Sequence, residues 1–154
     1  MTGARDLSFR AARDSDAPAI ASLVEAAYGH YVERIGFPPR PMQDDYTQVI
    51  GNSEVTVAED EAAIIGVIVL STDEEGFFID NVAVHPSQHG RGLGRALLEF
   101  GEAEARRAGF DSIYLYTHEK MTENIALYTR IGYEEFDRRP QHGFSLVYMR
   151  KPLE

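Results

Sequence analysis

Apolar and polar positions along the chain follow two distinct periods. Between Ile20 and Val32 apolar residues recur every three or four positions, which predicts an amphipathic helix that ends near Gly36. Shorter β-rich segments, bounded by Gly, Asp, Asn or Pro, predict strands. The predicted strands are 7–11, 55–59, 63–70, 77–84, 112–117, 133–138 and 144–149.

Further helices are predicted between these strands. The segment Phe37 to Met42 contains three prolines and predicts a stiff loop, and a short helix follows over Asp44 to Ile50. One helix is predicted after the strand 77–84 and another after 112–117. The order of elements predicts an α/β (α+β three-layer) fold with a mixed sheet.

Composition narrows the class of protein. The chain has 154 residues, enough for a single domain (1–154), and no linker or repeat divides it. No apolar run approaches the ~20 residues of a membrane span, so we expect a cytoplasmic protein. The absence of cysteine excludes disulfides, zinc-thiolate sites and a cysteine nucleophile, and the five histidines lack the close paired spacing of a metal site.

The charge balance bears on possible partners. The formal net charge is −10, with 25 acidic against 15 basic residues. This charge argues against nucleic acid and anionic membranes as partners, whereas a cationic amine would be attracted.

The stretch Val82 to Leu98 carries the strongest functional signal. An apolar strand ends before Pro86, a turn contains glycines at 90, 92 and 94, and a helical apolar period then begins at Leu93. Backbone N–H groups at the start of such a helix form an anion site suited to phosphate. An ordinary strand-to-helix connection is the alternative interpretation.

The same turn excludes two common nucleotide motifs. A P-loop requires Gly-Lys followed by Ser or Thr, but Gly94 is followed by Arg95 and Ala96. In a dinucleotide fingerprint that starts at Gly90, the last glycine would fall on Arg95, which argues against an oxidoreductase.

The turn instead resembles motif A of the GNAT acetyltransferase superfamily, Gln/Arg-x-x-Gly-x-Gly/Ala after a strand ending Val-x-Pro. Gly92 and Gly94 occupy its two small positions, and His89 occupies its first. The stretch Thr122 to Tyr133 resembles motif B of the same family, with Asn124, Tyr128 and Gly132 in register. Together the two motifs cover roughly residues 77 to 136.

The resemblance implies a mostly antiparallel sheet in which one parallel pair of strands, 77–84 and 112–117, is splayed. It implies acetyl-CoA as co-substrate, without a metal, and leaves a homodimer open. The pantetheine arm would pair with backbone groups of the first strand, and the glycine turn would receive the pyrophosphate. The implied coenzyme-binding residues are Val82, Ala83, Val84, His89, Gly90, Arg91, Gly92, Leu93, Gly94, Arg95, Asn124 and Tyr128.

Acyl transfer from a thioester to an amine needs an acid that protonates the departing thiolate. Tyr128 is the candidate, because it lies four residues after Asn124 on one helix face. The alternative is a tyrosine that only packs beneath the sheet. Asn124 either hydrogen-bonds the coenzyme or supports the helix start.

Two residues are catalytic candidates for the general base, and the sequence does not decide between them. Asp80 lies mid-strand, where an unpaired buried carboxylate is costly, so it is functional, at a bulge, or paired with an arginine. His118, followed by Glu119, lies at the end of the next strand and could relay a proton through water, although a solvated loop is the alternative. Tyr28, Tyr31 and the loop 37–42 lie where the resemblance places the amine acceptor.

Two functional hypotheses follow. The first is an N-acetyltransferase that moves acetyl directly from acetyl-CoA to a primary amine of a small molecule or peptide, in a ternary complex, with Tyr128 as general acid. The alternative is a non-catalytic acyl-CoA-binding regulatory module on the same fold.

Overall fold

The computed structural model describes residues 7–141 and 143–154. Over these ranges the strands are β1 (Leu7–Ala11), β2 (Glu54–Asp60), β3 (Ala63–Asp73), β4 (Gly76–Val84), β5 (Ser112–His118), β6 (Glu134–Gln141) and β7 (Phe144–Pro152). The helices are α1 (Ala17–Tyr28), α2 (Tyr31–Ile35), α3 (Arg40–Gln43), α4 (Tyr46–Asn52), α5 (Leu93–Arg107) and α6 (Thr122–Arg130).

The described strands form one mixed sheet in the order β1-β2-β3-β4-β5-β7-β6. The first three strands pair antiparallel, and β7 pairs antiparallel with both β5 and β6. The pair β4 and β5 is parallel, with Phe78 opposite Tyr114 and Ile79 opposite Leu115. This confirms the predicted fold class, a mostly antiparallel mixed sheet with one parallel pair.

The helical region before β2 differs from the pattern-based prediction. The single helix expected up to Gly36 is two helices, because α1 ends at Tyr28 and α2 begins at Tyr31. The proline segment expected to be a loop contains α3, with Pro41 in its first turn, where a missing backbone N–H costs nothing.

Backbone contacts group the chain into two units. The first comprises the described residues up to Leu70 together with Asn81–Glu99. In it, the buried face of α1 includes Ile20, Leu23 and Val24. A Cβ at Gly66 on β3 would lie 3.0 Å from Leu97 Cδ1, so a larger residue there would require the Leu97 side chain on α5 to shift.

A partly buried charge cluster connects β1 to the start of α1 within the first unit. Arg10 pairs with Asp16 at 2.8 Å and with Glu59 at 3.0 Å. The hydrogen bonds from Arg10 lower the pKa of the Asp16 carboxyl to about 2. Asp16 immediately precedes the helix.

The second unit comprises Ser71–Asp80 and Phe100–Glu154. Its strand β5 is buried on both faces, with Ile113, Tyr114 and Leu115 each at most 2% exposed. The last two strands, β6 and β7, pair antiparallel, with Arg138 opposite Val147. Between these two strands, His142 lies outside the described residues.

The hairpin between β2 and β3 turns at Glu61 and Ala62. Both residues have positive φ, 51° and 72° respectively. Two consecutive left-handed residues form the type I′ turn that suits the twist of a two-residue hairpin. Neither residue is a glycine or asparagine, the types that adopt this conformation most readily.

No helix in the described part of the chain is both long and apolar enough to span a membrane.

Candidate active site

The glycine turn lies between β4 and α5 in the first unit. Residues Pro86–Gln88 form a 3₁₀ turn, stabilised by the backbone N–H of Ser87, which donates to His85 Nδ1 at 3.1 Å. Gly90 and Gly92 then each adopt φ of +81°, a left-handed conformation that other residues adopt at a cost. The chain reverses at these two positions and enters α5 at Leu93.

The space next to the two left-handed glycines of this turn is open. A Cβ at Gly90 or Gly92 would meet no heavy atom of the described chain within 4 Å. The first N–H groups of an α-helix have no partner within the helix, and they point out of its positive end. The turn therefore combines backbone donors, the positive end of a helix and open space at Gly90 and Gly92.

Gly94 has a different geometry from the two glycines before it. It lies within the first turn of α5, and its φ is not among the positive ones. A Cβ there would lie 3.8 Å from Val84 Cγ2, an ordinary van der Waals contact. A side chain at this position is therefore compatible with the fold.

The charged side chains of the turn are exposed. Arg91, Arg95 and His89 all lie on the surface. Arg95 is 3.6 Å from Glu99 in an exposed pair of the kind that contributes little to stability. The backbone N–H of His89 closes the 3₁₀ turn onto the carbonyl of Pro86 at 3.2 Å.

We expect His89→Gln to leave coenzyme A affinity unchanged or slightly improved. The imidazole is exposed, so the position contributes to the turn through its backbone, which the substitution keeps. Calorimetric titration of both proteins with coenzyme A measures the effect. A loss of more than about tenfold, or roughly 1.4 kcal/mol, would show that the imidazole itself binds phosphate.

The strand segment that precedes the turn carries a hydrogen bond that the sequence did not indicate. The side chain of Ala83 is buried, and Val82 and Val84 are half-buried. The carbonyl of Val82 accepts a hydrogen bond from the Tyr28 hydroxyl at 2.9 Å. One of the backbone acceptors assigned to the pantetheine arm is therefore also a partner of α1.

A buried polar cluster surrounds that hydrogen bond within the first unit. Asn81, which is 5% exposed, accepts from Tyr28 and donates to the Tyr46 hydroxyl. Sequence reasoning missed Asn81 and Tyr46 and selected the neighbouring Asp80. The available signal was an amide at an inward position of β4, whose burial alternates residue by residue. Tyr31 is buried in the same unit, beside His30 at 3.9 Å between ring centroids.

The second unit contains α6 with both motif B residues. Tyr128 is 6% exposed, and its ring centroid lies 5.9 Å from that of Tyr133. Asn124 Nδ2 lies 3.7 Å from Met121 Sδ, and the backbone N–H of Asn124 donates to the Met121 carbonyl at 3.1 Å. Both residues thus lie on one helix, with the Asn124 amide on a weak sulfur acceptor.

His118 is buried at the end of β5, 7% exposed, and not in a solvated loop. Its Nδ1 accepts from the backbone N–H of Lys120 at 3.0 Å, so the proton of the neutral imidazole lies on Nε2. That Nε2 is buried without a protein hydrogen-bond partner among the described residues. In neutral His118, Nε2 is therefore a hydrogen-bond donor, and the acceptor Nδ1 is already occupied by the backbone N–H of Lys120.

Burial lowers the pKa of His118, because it removes the imidazolium from water; nearby Glu119 acts in the opposite direction. The unfolded chain therefore takes up this proton more readily than the folded one. We therefore expect the contribution of neutral, buried His118 to the free energy of unfolding to be complete above about pH 6.5. It should be lost as the pH falls from there toward the lower pKa of the folded protein. Urea unfolding of the parent and His118→Gln at pH 7.5 and 5.5 measures this, and the parent should lose more stability. Parallel pH dependence of the two proteins would contradict the assignment.

Asp80 has a hydrogen-bond partner in the second unit. The Tyr116 hydroxyl donates to Asp80 Oδ1 at 3.4 Å, and both side chains are half-buried. The Tyr116 ring lies 5.1 Å from that of Tyr148. Sequence reasoning missed Tyr116, because only the register of β4 and β5 places a hydroxyl beside the carboxylate. Glu119 accepts from the backbone N–H of Ser145 at 2.8 Å, a structural contact.

The described residues contain no group of three or more His, Asp or Glu side chains arranged to hold a metal ion.

Comparison with known sequences gives a consistent family. The model of the Acetyltransferase (GNAT) family matches residues 18–133. The chain is 30% identical over 131 residues to the uncharacterized N-acetyltransferase YjgM of Escherichia coli (strain K12), which covers 79% of this chain and 78% of that protein. It is 33% identical over 103 residues to an IAA acetyltransferase of Azospirillum brasilense, with 63% of this chain and 66% of that protein covered.

Some relatives match only in part. A mycothiol acetyltransferase of Salinispora arenicola is 45% identical over 53 residues, which are 34% of this chain and 17% of that protein. The chain thus spans about two thirds of the IAA acetyltransferase and less than a fifth of the mycothiol acetyltransferase.

Solved structures agree on the fold. The PaiA N-acetyltransferase of Thermoplasma acidophilum in complex with coenzyme A has a TM-score of 0.80 at 14% identity, over 96% of this chain and 99% of that one. The ribosomal-protein-S18-alanine N-acetyltransferase of Escherichia coli has a TM-score of 0.74 at 20% identity, over 96% and 94%.

Proposed function

Because this chain belongs to the GNAT acetyltransferase family, we propose that it transfers acetyl from acetyl-CoA directly to a primary amine of a small molecule or peptide. The observation that carries this proposal is the turn after β4. Gly90 and Gly92 are both left-handed there, and the space before the start of α5 is open. Such a turn is suited to the pyrophosphate of a coenzyme.

Acetyl-CoA would supply the acetyl group as a thioester. We assign its pyrophosphate to the backbone of His89 to Arg95, with Arg91 as an exposed positive charge beside the turn. The segment Val82 to Val84 would bind the pantetheine arm through its backbone, as an added strand binds a sheet edge. Asn124 would bind a polar group of the coenzyme. To do so its amide would give up only its contact with the Met121 sulfur, a weak acceptor, so the change costs little free energy.

Tyr128 is the proposed general acid. A phenol is protonated at neutral pH, so it can donate to a thiolate as that group departs. Direct attack by the amine needs no covalent intermediate on the enzyme, which agrees with a chain that has no cysteine.

Asp80 is the proposed general base for the amine. A carboxylate hydrogen-bonded by a phenol is held in one orientation, and the contact with Tyr116 provides this. His118 is the second candidate, but the hydrogen bond at Nδ1 supports a donor role for its neutral form. The net charge of −10 supports a cationic acceptor.

An activity screen tests the proposal. The protein is incubated with acetyl-CoA and a panel of polyamines, aminoglycosides, amino acids, N-terminal peptides and the acceptors of the two named relatives, and free coenzyme A thiol is measured. We expect turnover that depends on one class of amine. Tight binding of acetyl-CoA without turnover on any amine would favour the alternative, a non-catalytic acyl-CoA-binding regulatory module.

A further inference from the structure

The buried amide of Asn81 lies beside the strand segment assigned to the pantetheine arm. Its side chain contacts two tyrosine hydroxyls, those of Tyr28 at 2.8 Å and Tyr46 at 3.2 Å. Burying an amide is unfavourable unless its polar atoms are paired, and here both ends of the amide are paired. The position thus requires a residue that both donates and accepts.

The direction of each hydrogen bond follows from one short contact. The Tyr46 hydroxyl donates its proton to the carbonyl of Pro41 at 2.6 Å. A hydroxyl has a single proton, so toward Asn81 the Tyr46 oxygen is an acceptor, and the amide nitrogen must face it. The amide oxygen of Asn81 therefore faces Tyr28, and Tyr28 is the donor.

Tyr28 has two acceptors within reach of its single proton. The oxygen of Asn81 lies at 2.8 Å and the carbonyl of Val82 at 2.9 Å. If a ligand takes the Val82 carbonyl, the Tyr28 proton can turn wholly to Asn81. The Tyr28 hydroxyl then still has an acceptor, so ligand binding does not carry the free-energy penalty of a buried donor that lacks one.

We propose that Asn81 is a positioning residue for acyl-CoA, which holds the Tyr28 proton while an N–H of the pantetheine arm occupies the Val82 carbonyl. This inference rests on the proposed function, because it takes Val82 as part of the coenzyme site. It gives Asn81 a role in coenzyme affinity, without contact with the acetyl group or the amine.

The test is acetyl-CoA affinity, measured by calorimetry without an acceptor amine. Asn81→Leu removes that acceptor and keeps the Tyr28 proton on the Val82 carbonyl, so the arm must share this carbonyl with the tyrosine, and we expect Kd to rise about tenfold. Tyr28→Phe removes that proton, and Kd should stay within about threefold of the parent. The double variant Tyr28→Phe/Asn81→Leu should also recover to within about threefold, because no proton remains to be accommodated.

If Asn81 and Tyr28 only packed, the effects of the two substitutions on Kd would add in the double variant. Recovery of Kd in the double variant therefore supports the positioning role. Asn52→Leu repeats the substitution at an exposed site on α4 and should leave Kd unchanged. If Asn81→Leu does not fold, Asn81→Ala removes the same acceptor without added bulk. A double variant as weak as the Asn81 variant alone, or a parent-like Kd in that single variant, would overturn the inference. A parent protein that does not bind acetyl-CoA would instead refute the proposed function.

Discussion

Tyr128→Phe lowers kcat about a hundredfold and leaves the KM for acetyl-CoA little changed, if Tyr128 is the general acid. The substitution keeps the buried ring and its packing against Tyr133 and removes the hydroxyl group that would donate the proton. A thiolate can also leave unaided, which places the loss at the low end of the range for general acids. The measurement is kcat and its pH profile on an amine that the screen identifies.

Tyr133→Phe is the matched control for that substitution. Tyr133 is the neighbouring buried tyrosine, and its hydroxyl has no protein hydrogen-bond partner among the described residues. Its loss should leave kcat within about threefold of the parent. The proposed acid also predicts that any decline at high pH that reports the Tyr128 proton disappears in Tyr128→Phe. A folded Tyr128→Phe protein within threefold of the parent, with chemistry rate-limiting, would assign Tyr128 to packing and the acid to water or His118.

Gly94→Val should weaken coenzyme A binding by about 2 kcal/mol or more, which is roughly thirtyfold in Kd. The added side chain would enter the path of the pyrophosphate at the start of α5. The fold should tolerate it, because the nearest heavy atom to a Cβ at this position is Val84 Cγ2 at 3.8 Å. Calorimetry with coenzyme A gives the affinity, and thermal unfolding confirms that the variant is folded.

Gly51→Val controls for the cost of a β-branched residue in a helix. Gly51 lies in α4, and a Cβ there would contact no described heavy atom within 4 Å. This variant should bind coenzyme A as the parent does. Equal affinity of the parent and a folded Gly94→Val protein would remove Gly94 from the phosphate site.

The strands could be predicted from sequence because their period is short and their ends are marked by turn residues. The helices before β2 could not be bounded in this way. The apolar stripe from Ile20 to Val32 continues through Gly29 and His30, so periodicity alone does not reveal the break between α1 and α2. The three prolines of the segment 37–42 predict a loop, but Pro41 lies in the first turn of the helix Arg40–Gln43, where a proline is compatible with a helix.

In the candidate site, too, the features that are local in sequence could be predicted and the long-range contacts could not. The glycine turn is local in sequence, so its residues and its anion-binding character could be inferred from spacing alone. The contacts of Asp80 with Tyr116 and of Asn81 with Tyr28 and Tyr46 join residues 35 to 53 positions apart. Such contacts depend on strand register and helix packing, which one sequence does not specify.

The turn at Glu61 and Ala62 has a consequence for the order of folding. Both residues are left-handed against their own preference, so the turn is imposed by the pairing of β2 and β3 and does not initiate it. Closure of this hairpin should therefore await the strands and come late. Replacing Glu61-Ala62 with Asn-Gly would let the turn form locally, and stopped-flow refolding should become faster if that closure limits the rate. An unchanged refolding rate, with slower unfolding alone, would show that the hairpin closes after the rate-limiting step.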